Sequence, residues 1–276
     1  MGLGYVVIAI SIYVWLWAIF GVYPALIGAT VGAFIPYVFV DMYVRGSIGE
    51  IWAIGFLFLS LFFVERKRCV LFSFAYAGLI LSHNILGMVC TPFLLLYVLL
   101  RNKKFLWSMV WGVGLSSFFW LPALMEAQYV VGLNTVNFRD HFVEAYELLV
   151  PSWGSQFSAT GSFGNKISFQ LGLSPILSFF GAVLTYRRIS DKKKKGLFVL
   201  FAGVALLSIF FMTRLSLPFW EFLTPLQNVQ YPWRLLSFII PIASFSASIW
   251  VETVKKKWIG LAIAILAVLL AFSYTR

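Results

Sequence analysis

Acidic and basic residues gather within one ten-residue stretch of an otherwise apolar chain. Between Asp41 and Glu50 the sequence also carries Tyr43 and Arg45. A carboxylate can take a proton from a reacting hydroxyl, and a guanidinium can hold an anionic oxygen. The simpler interpretation is a helix cap beside an interfacial arginine. Four polar side chains in ten residues are more than a cap needs, so we favour a functional site.

A second polar group follows a rigid proline near the end of the chain. Gln230, Trp233 and Arg234 surround Pro232. Tyrosine and tryptophan often form a belt at membrane interfaces, which would explain the aromatic residues alone. The belt does not explain an arginine next to an aromatic plane, an arrangement that suits a phosphate or pyrophosphate group.

A third group lies in a long connection, residues 123–169, that is predicted to be an extracytoplasmic loop. It contains Glu126, Arg139 and His141. The spacing of aromatic and leucine residues predicts an amphipathic helix between Asn137 and Pro151, lying flat in the membrane interface. An ordinary connector is the simpler interpretation for most of this segment, and the three polar residues are candidates to orient a substrate.

The composition determines which elements must position these residues. The 276 residues are 61% hydrophobic and 11% charged, with a net charge of +11 and a mean hydropathy of +0.92. Soluble domains carry about 25% charged residues, so the chain is predicted to be an all-α, polytopic membrane bundle. The sequence contains no phosphate-binding glycine loop, HExxH or GxSxG motif, so it gives no support to ATP-driven transport, metalloprotease chemistry or serine hydrolysis.

About ten spans are predicted from the apolar runs. They are Leu3–Phe20, Val22–Val40, Ile48–Val64, Cys69–Ser82, Ile85–Leu100, Phe105–Leu121, Gln170–Tyr186, Gly196–Met212, Leu235–Val251 and Trp258–Phe272. Most of the 21 Lys and Arg residues fall in four alternate connections, which the positive-inside rule places in the cytoplasm. Both termini and most acidic residues are then outside, and the whole chain is predicted to be one transmembrane domain. Nucleic acid is not an expected partner, because apolar runs separate the basic residues.

His83 lies at the tip of a short predicted hairpin. The run Cys69–Leu100 must leave and re-enter the cytoplasm with about 16 residues per arm. Each arm is then about 24 Å long, shorter than the roughly 30 Å hydrocarbon core, so the tip is predicted below the outer surface. There His83 could transfer a proton, bind a phosphate oxygen or only stabilise a turn, and all three roles stay open.

Four motifs in order resemble a group of bacterial and archaeal membrane proteins. The motifs are Pro36-Tyr37 with Asp41-Met-Tyr43-Val-Arg45-Gly and Glu50; Ser82-His83-Asn84; Phe119-Trp120-Leu121-Pro122-Ala-Leu-Met-Glu126; and Gln230-Tyr231-Pro232-Trp233-Arg234. That group is labelled by a 6-pyruvoyl-tetrahydropterin synthase-related membrane domain, and it resembles the GT-C superfamily of integral membrane glycosyltransferases. The resemblance covers roughly residues 22–251, and the label does not imply pterin chemistry.

The resemblance implies an enzyme that takes a sugar from a polyprenyl-phosphate or polyprenyl-diphosphate carrier at the outer face of the cell membrane. The usual catalytic acid of such enzymes follows a leading helix, in the first outer loop. This sequence begins after that point, so we expect a fragment that lacks both, and catalysis by this chain alone is in question. No firm cofactor is implied, and a divalent cation stays open.

The polar groups suggest roles in such a transfer. Asp41 or Glu50 is the candidate base, and His83 is a further catalytic candidate. Arg45 and Arg234 are candidates to hold the lipid phosphate. The remaining candidates for substrate binding are Tyr43, Glu126, Arg139, His141, Gln230 and Trp233.

Two alternatives come from other classes of protein. A transporter or lipid flippase would use the same polar residues as a passage and would need polar groups through both membrane halves. A noncatalytic fragment or scaffold would need no reactive site at all.

Overall fold

The computed structural model describes residues 1–126, 129, 136–155, 158 and 166–274. Within these ranges every regular element is a helix. In chain order the α-helices are α1 (Gly2–Phe20), α2 (Val22–Ala33), α3 (Pro36–Phe39), α4 (Ile48–Glu65), α5 (Cys69–Ser82), α6 (Asn84–Arg101), α7 (Phe105–Leu115), α8 (Ser117–Met125), α9 (Leu173–Thr185), α10 (Lys192–Met212), α11 (Leu217–Phe222), α12 (Thr224–Gln227), α13 (Ile239–Val254) and α14 (Lys257–Ala271).

Six helical segments are long and apolar enough to cross a bilayer. They are α1, α4, α6, α10, the segment Pro232–Val254 that includes α13, and the segment Lys257–Tyr274 that includes α14. Two bent helix pairs bring the number to eight if each pair is one span. The chain is therefore an all-helical, multi-pass membrane protein.

The two bent pairs have identifiable local causes. Residues Val22–Ala33 and Pro36–Val44 meet at 51°, and Ile35 between them is extended because the proline that follows disfavours helical geometry. Helices α7 and α8 meet at 63°, where the Ser116 hydroxyl donates to the carbonyls of Gly112 and Val113. Serine bonding back to the preceding turn bends a helix.

The remaining two predicted spans are helices that are short for a bilayer. Helix α5 has 14 residues and α9 has 13. At 1.5 Å per residue, 14 residues rise about 21 Å, against a hydrocarbon core of about 30 Å. The described residues thus contain six to eight candidate spans where the sequence predicts about ten. Of the two predicted hairpin arms, α5 is short, whereas α6 with 18 residues is long enough to cross a bilayer.

An aromatic layer fills the middle of the bundle. Trp15 lies 5.4 Å from Phe58, and Phe201 lies 5.9 Å from Phe93 and 5.0 Å from Phe245, measured between ring centroids. All five side chains are buried. Since they come from α1, α4, α6, α10 and α13, the layer joins the principal helices and separates the two ends of the bundle.

The prediction of an amphipathic helix between Asn137 and Pro151 is wrong. Two short 3-10 helices, Phe138–His141 and Ala145–Leu148, stand in its place, and Phe142 between them is extended. The backbone N–H of Val143 donates to the carbonyl of Met212 at 2.9 Å. This bond ties the segment to the end of α10, so a continuous helix cannot form.

Candidate functional site

The site lies where three helical segments begin at the same end of the bundle. Helix α4 starts just before Glu50, α6 starts just after His83, and the 3-10 helix Pro232–Phe238 carries Trp233 and Arg234. We call Tyr37, Asp41, Arg45, Glu50, His83, Trp233 and Arg234 the acid–arginine cluster.

A π-helix positions the first acid and its arginine. Residues Val40–Val44 form this π-helix, and the Arg45 backbone N–H donates to the carbonyl of Val40 at 2.9 Å. The Asp41 side chain is fully buried, and Arg45 Nη1 donates to its Oδ1. Single π-turns are rare and occur often at functional sites.

Glu50 uses both of its oxygens within the cluster. Oε1 accepts from the Tyr37 hydroxyl, and Oε2 accepts from Arg45 Nη1 at 2.7 Å. His83 Nε2 lies 3.8 Å from the same Oε2. One guanidinium therefore holds two buried carboxylates together, and Glu50 has no oxygen left without a partner.

His83 acts as the N-cap of α6. Its Nδ1 accepts from the Leu86 backbone N–H at 3.1 Å. The ring hydrogen is therefore on Nε2, the nitrogen that faces Glu50. Of the three roles open to His83, the geometry supports the stabilisation of the turn.

A second buried arginine closes the cluster. Arg234 Nη1 donates to the Val229 carbonyl at 2.8 Å and lies 3.5 Å from Gln230 Oε1. Arg234 is close enough to interact electrostatically with Asp41 and Glu50. The guanidinium of Arg45 stacks on the Trp233 ring at 4.6 Å, which joins this segment to the two acids.

Three buried polar atoms of the cluster have no hydrogen-bond partner among the described residues. They are Asp41 Oδ2, Trp233 Nε1 and Arg234 Nε. A buried polar atom without a partner costs about 1–3 kcal/mol, so such atoms in native proteins require an explanation. One acceptor and two donors are thus available to a bound molecule.

The cluster does not fit a divalent cation. Arg45 stands between the two carboxylates, and the described ranges contain no group of three His, Cys, Asp or Glu side chains that could hold a metal ion. Oxygen-rich sites for Mg²⁺ need carboxylates that are not already neutralised.

His141 borders the acid–arginine cluster, whereas Tyr43, Glu126 and Arg139 do not join it. The His141 ring lies 4.8 Å from the ring of Tyr231, on which Arg234 stacks. Nδ1 of His141 is 2.8 Å from Ser158 Oγ. Burial lowers the pKa of His141, and Asp140 partly opposes this shift.

The residues outside the cluster are exposed. Arg139 forms an ion pair with Glu221 at 2.9 Å, with about half of each side chain accessible to solvent. Glu126 lies at the exposed end of α8, and Tyr43 stacks on Phe39 with its own side chain exposed.

Tyr37 is the cluster residue that the predicted site lacks. Tyr37 belongs to the first of the four motifs, but it lies in a predominantly apolar run, where a tyrosine is typical of a helix core. The hydroxyl contact to Glu50 shows that it is part of the cluster. The sequence signal that could have found it is Pro36, which starts the short helix α3 just before the acids.

Gly49 allows the first turn of α4 to approach the α5–α6 turn. A Cβ on Gly49 would lie 2.5 Å from the backbone carbonyl oxygen of Ser82, an atom that cannot rotate away. We expect Gly49→Ala to lower the free energy of unfolding by about 1–3 kcal/mol, because overpacking forces the backbone to move. Denaturant titration in detergent measures this loss. The matched control is Gly203→Ala in α10, where a Cβ meets nothing within 4 Å. Equal stability of the two variants would contradict the close approach.

One family model matches almost the whole chain. The model is described as "6-pyruvoyl-tetrahydropterin synthase related domain; membrane protein", and it covers residues 1–275. No curated protein and no solved structure matches the chain.

Proposed function

We propose that this chain, which belongs to the 6-pyruvoyl-tetrahydropterin synthase related family of membrane proteins, is a GT-C-type glycosyltransferase. It transfers a sugar from a polyprenyl-phosphate carrier to an acceptor at the extracytoplasmic face. The acid–arginine cluster is its reactive site. Two buried carboxylates that share one guanidinium, beside a second buried arginine, are the observation that carries the proposal. Charges at membrane depth are costly and mark functional sites.

The orientation follows from the distribution of basic residues. Lys194 at the start of α10 pairs with Glu252 near the end of α13, so the basic ends of these helices meet. The acid–arginine cluster lies at the opposite ends of α10 and α13. Because cytoplasmic connections are rich in Lys and Arg, the cluster faces the outside in this proposal.

Asp41 is the better of the two candidate bases. Both Glu50 oxygens are engaged, whereas Asp41 keeps Oδ2 without a partner among the described residues. In the proposed step, Asp41 takes the proton of an acceptor hydroxyl as that oxygen forms a bond to the anomeric carbon of the sugar. The bond between this carbon and the phosphate oxygen breaks, and the electron pair leaves with the phosphate.

Arg234 and Trp233 are suited to the departing phosphate. The Nε of Arg234 and the Nε1 of Trp233 are donors without partners among the described residues, and the nearby Arg45 adds positive charge. Donors and cations aimed at the developing negative charge stabilise a transition state more than the ground state. Glu50, Tyr37 and His83 then act as positioning residues that hold Arg45 and the start of α4.

The aromatic layer favours this proposal over a transporter or flippase. A passage for a polar substrate needs polar groups through both membrane halves. Between the acid–arginine cluster and the basic ends, the layer formed by Trp15, Phe58, Phe93, Phe201 and Phe245 is fully buried and apolar. In this proposal a substrate therefore approaches the cluster from one face only.

Binding of a polyprenyl phosphate tests the proposed site. We expect Arg234→Gln to weaken the binding of undecaprenyl phosphate to the purified protein about 10–100-fold, because a charge-assisted bond of about 1.5–3 kcal/mol is lost. Native mass spectrometry or tryptophan fluorescence measures the Kd. Arg214→Gln, which changes an exposed arginine just after α10, is the matched control and should bind normally. Equal affinity of Arg234→Gln and wild type would contradict the role of Arg234.

A further inference from the structure

A second polar site lies at the other end of the same helices. A cavity of about 320 Å³ is lined by residues at the end of α4, at the end of α6 and at the start of α10. Glu50 and Glu65 are fifteen residues apart on α4, which corresponds to about 22 Å along the axis. The aromatic layer separates this cavity from the acid–arginine cluster. We call it the lysine cavity, because Lys67, Lys192 and Lys193 line it.

A partly buried ion pair forms one wall of the lysine cavity. Glu65 Oε1 accepts from Arg101 Nε at 2.7 Å and from the Tyr97 hydroxyl, while Oε2 accepts from Arg101 Nη2. Tyr97 in turn accepts from the Trp15 indole N–H at 3.2 Å. Both oxygens of Glu65 are thus used within this network, and Glu65 does not neutralise the lysines.

The three lysines of the cavity have no acidic partner. Within the described ranges no carboxylate lies within 4.0 Å of the ammonium groups of Lys67, Lys192 or Lys193, whereas the next lysine, Lys194, pairs with Glu252. Asp191 uses its carboxylate to cap α10, by accepting from the Lys193 and Lys194 backbone N–H groups. Three cations therefore converge on one hollow from two separate connections of the chain.

The cavity is amphipathic. Its basic side chains stand beside Val64, Leu100 and Leu197, and Leu100 is 60% exposed on the outer surface of the bundle. An anion dissolved in water would gain nothing from these apolar side chains, whereas a lipid would place its headgroup on the lysines and its acyl chains along α6. Basic pockets between transmembrane helices on the cytoplasmic side bind anionic lipid headgroups.

We propose that the lysine cavity binds the phosphate headgroup of an anionic phospholipid at the membrane face opposite the acid–arginine cluster. The lysines supply the charge, the Asn102 amide is a further donor in the lining, and the Glu65–Arg101 pair joins the ends of α4 and α6 beside the cavity. This site does not depend on the proposed transfer reaction.

Titration of the purified protein in neutral detergent tests the lipid site. The probes are dioleoyl phosphatidylglycerol, dioleoyl phosphatidylcholine and inorganic phosphate, with binding followed by native mass spectrometry. We expect phosphatidylglycerol to bind more tightly than the other two. The triple variant K67Q/K192Q/K193Q should weaken it on the order of 100-fold, because each lysine near an anionic surface contributes about 1 kcal/mol. The charge-preserving variant K67R/K192R/K193R should retain binding, which excludes a folding defect.

The matched control is K255Q/K256Q/K257Q. It removes three exposed lysines from the α13–α14 connection, and Lys255 has the same left-handed backbone as Lys67. This variant should bind phosphatidylglycerol like the wild type. Equal losses in the two glutamine variants would show an unspecific surface-charge effect and overturn the proposal. Binding of inorganic phosphate as tight as that of phosphatidylglycerol would also overturn it, because the site would then be a site for free anions.

Discussion

Asp41→Asn is expected to lower kcat for sugar transfer about 10²–10⁴-fold, the usual contribution of a general base. Asparagine keeps the size of the side chain but cannot accept the proton of the acceptor hydroxyl. The measurement is the consumption of polyprenyl-phosphate-linked sugars by the purified protein, with envelope glycans and lipids as acceptors. Binding of undecaprenyl phosphate should change little, since Arg45 and Arg234 remain.

The control for this variant is Glu221→Gln. Glu221 is an exposed acid that pairs with Arg139 outside the acid–arginine cluster, so its loss should leave kcat unchanged. A kcat for Asp41→Asn close to that of the control would remove Asp41 from the reaction. A loss of donor binding in Asp41→Asn without a change in kcat would make it a binding residue instead of the base.

Glu50→Gln is expected to lower the free energy of unfolding by about 3–5 kcal/mol, because it removes one of the two carboxylates that balance Arg45 and Arg234 and leaves positive charge in excess at a buried site. Arg45 would then face Asp41 alone, and Tyr37 and His83 would lose the carboxylate that they contact. Denaturant titration in detergent measures the change.

An exposed ion pair provides the comparison for Glu50. Glu221→Gln breaks the Arg139–Glu221 pair, and exposed pairs contribute about 0–1 kcal/mol. Glu50→Gln should lower the free energy of unfolding clearly more than Glu221→Gln does. Similar losses for the two variants would mean that Glu50 does not hold the cluster together.

The positions of the long helices could be predicted from the sequence. The predicted span Leu3–Phe20 corresponds to α1 (Gly2–Phe20), and the predicted span Ile48–Val64 corresponds to α4 (Ile48–Glu65). In both, a largely apolar run ends at a breaking glycine or at charged residues, and these local signals determine where a membrane helix ends.

The bends and the loop could not be predicted in this way. The bend at Ser116 arises because its hydroxyl bonds to the preceding turn. The sequence alone does not distinguish such a serine from one in a straight helix. The interrupted helix after Asn137 depends on the contact between Val143 and Met212, which are 69 residues apart in the sequence. An amphipathic pattern records which side chains are apolar, and it holds no information about such a distant backbone contact.

The candidate site was partly accessible to prediction. Charged residues in an apolar chain identify Asp41, Arg45, Glu50 and Arg234 directly, and the structure brings these four together. Which oxygen remains without a partner depends on the π-helix at Val40–Val44 and on hydrogen bonds between helices. Sequence spacing alone therefore left the choice between Asp41 and Glu50 open.

The two ends of the bundle carry different sets of charged residues. One end carries acids held by arginines, and the other carries lysines without acidic partners among the described residues. A buried aromatic layer lies between them. If both proposals hold, the sugar donor and the phospholipid bind at opposite ends of the same helices.

Transfer in proteoliposomes of known orientation tests the central claim most directly. Polyprenyl-phosphate-linked sugars are placed in the bilayer, a membrane-impermeant acceptor extract is added to one side, and the release of polyprenyl phosphate is measured. The account predicts release only when the acceptor is on the side of the acid–arginine cluster, with little release by Asp41→Asn or Arg234→Gln. Release from the lysine-cavity side, or equal release by the wild type and both variants, would contradict it.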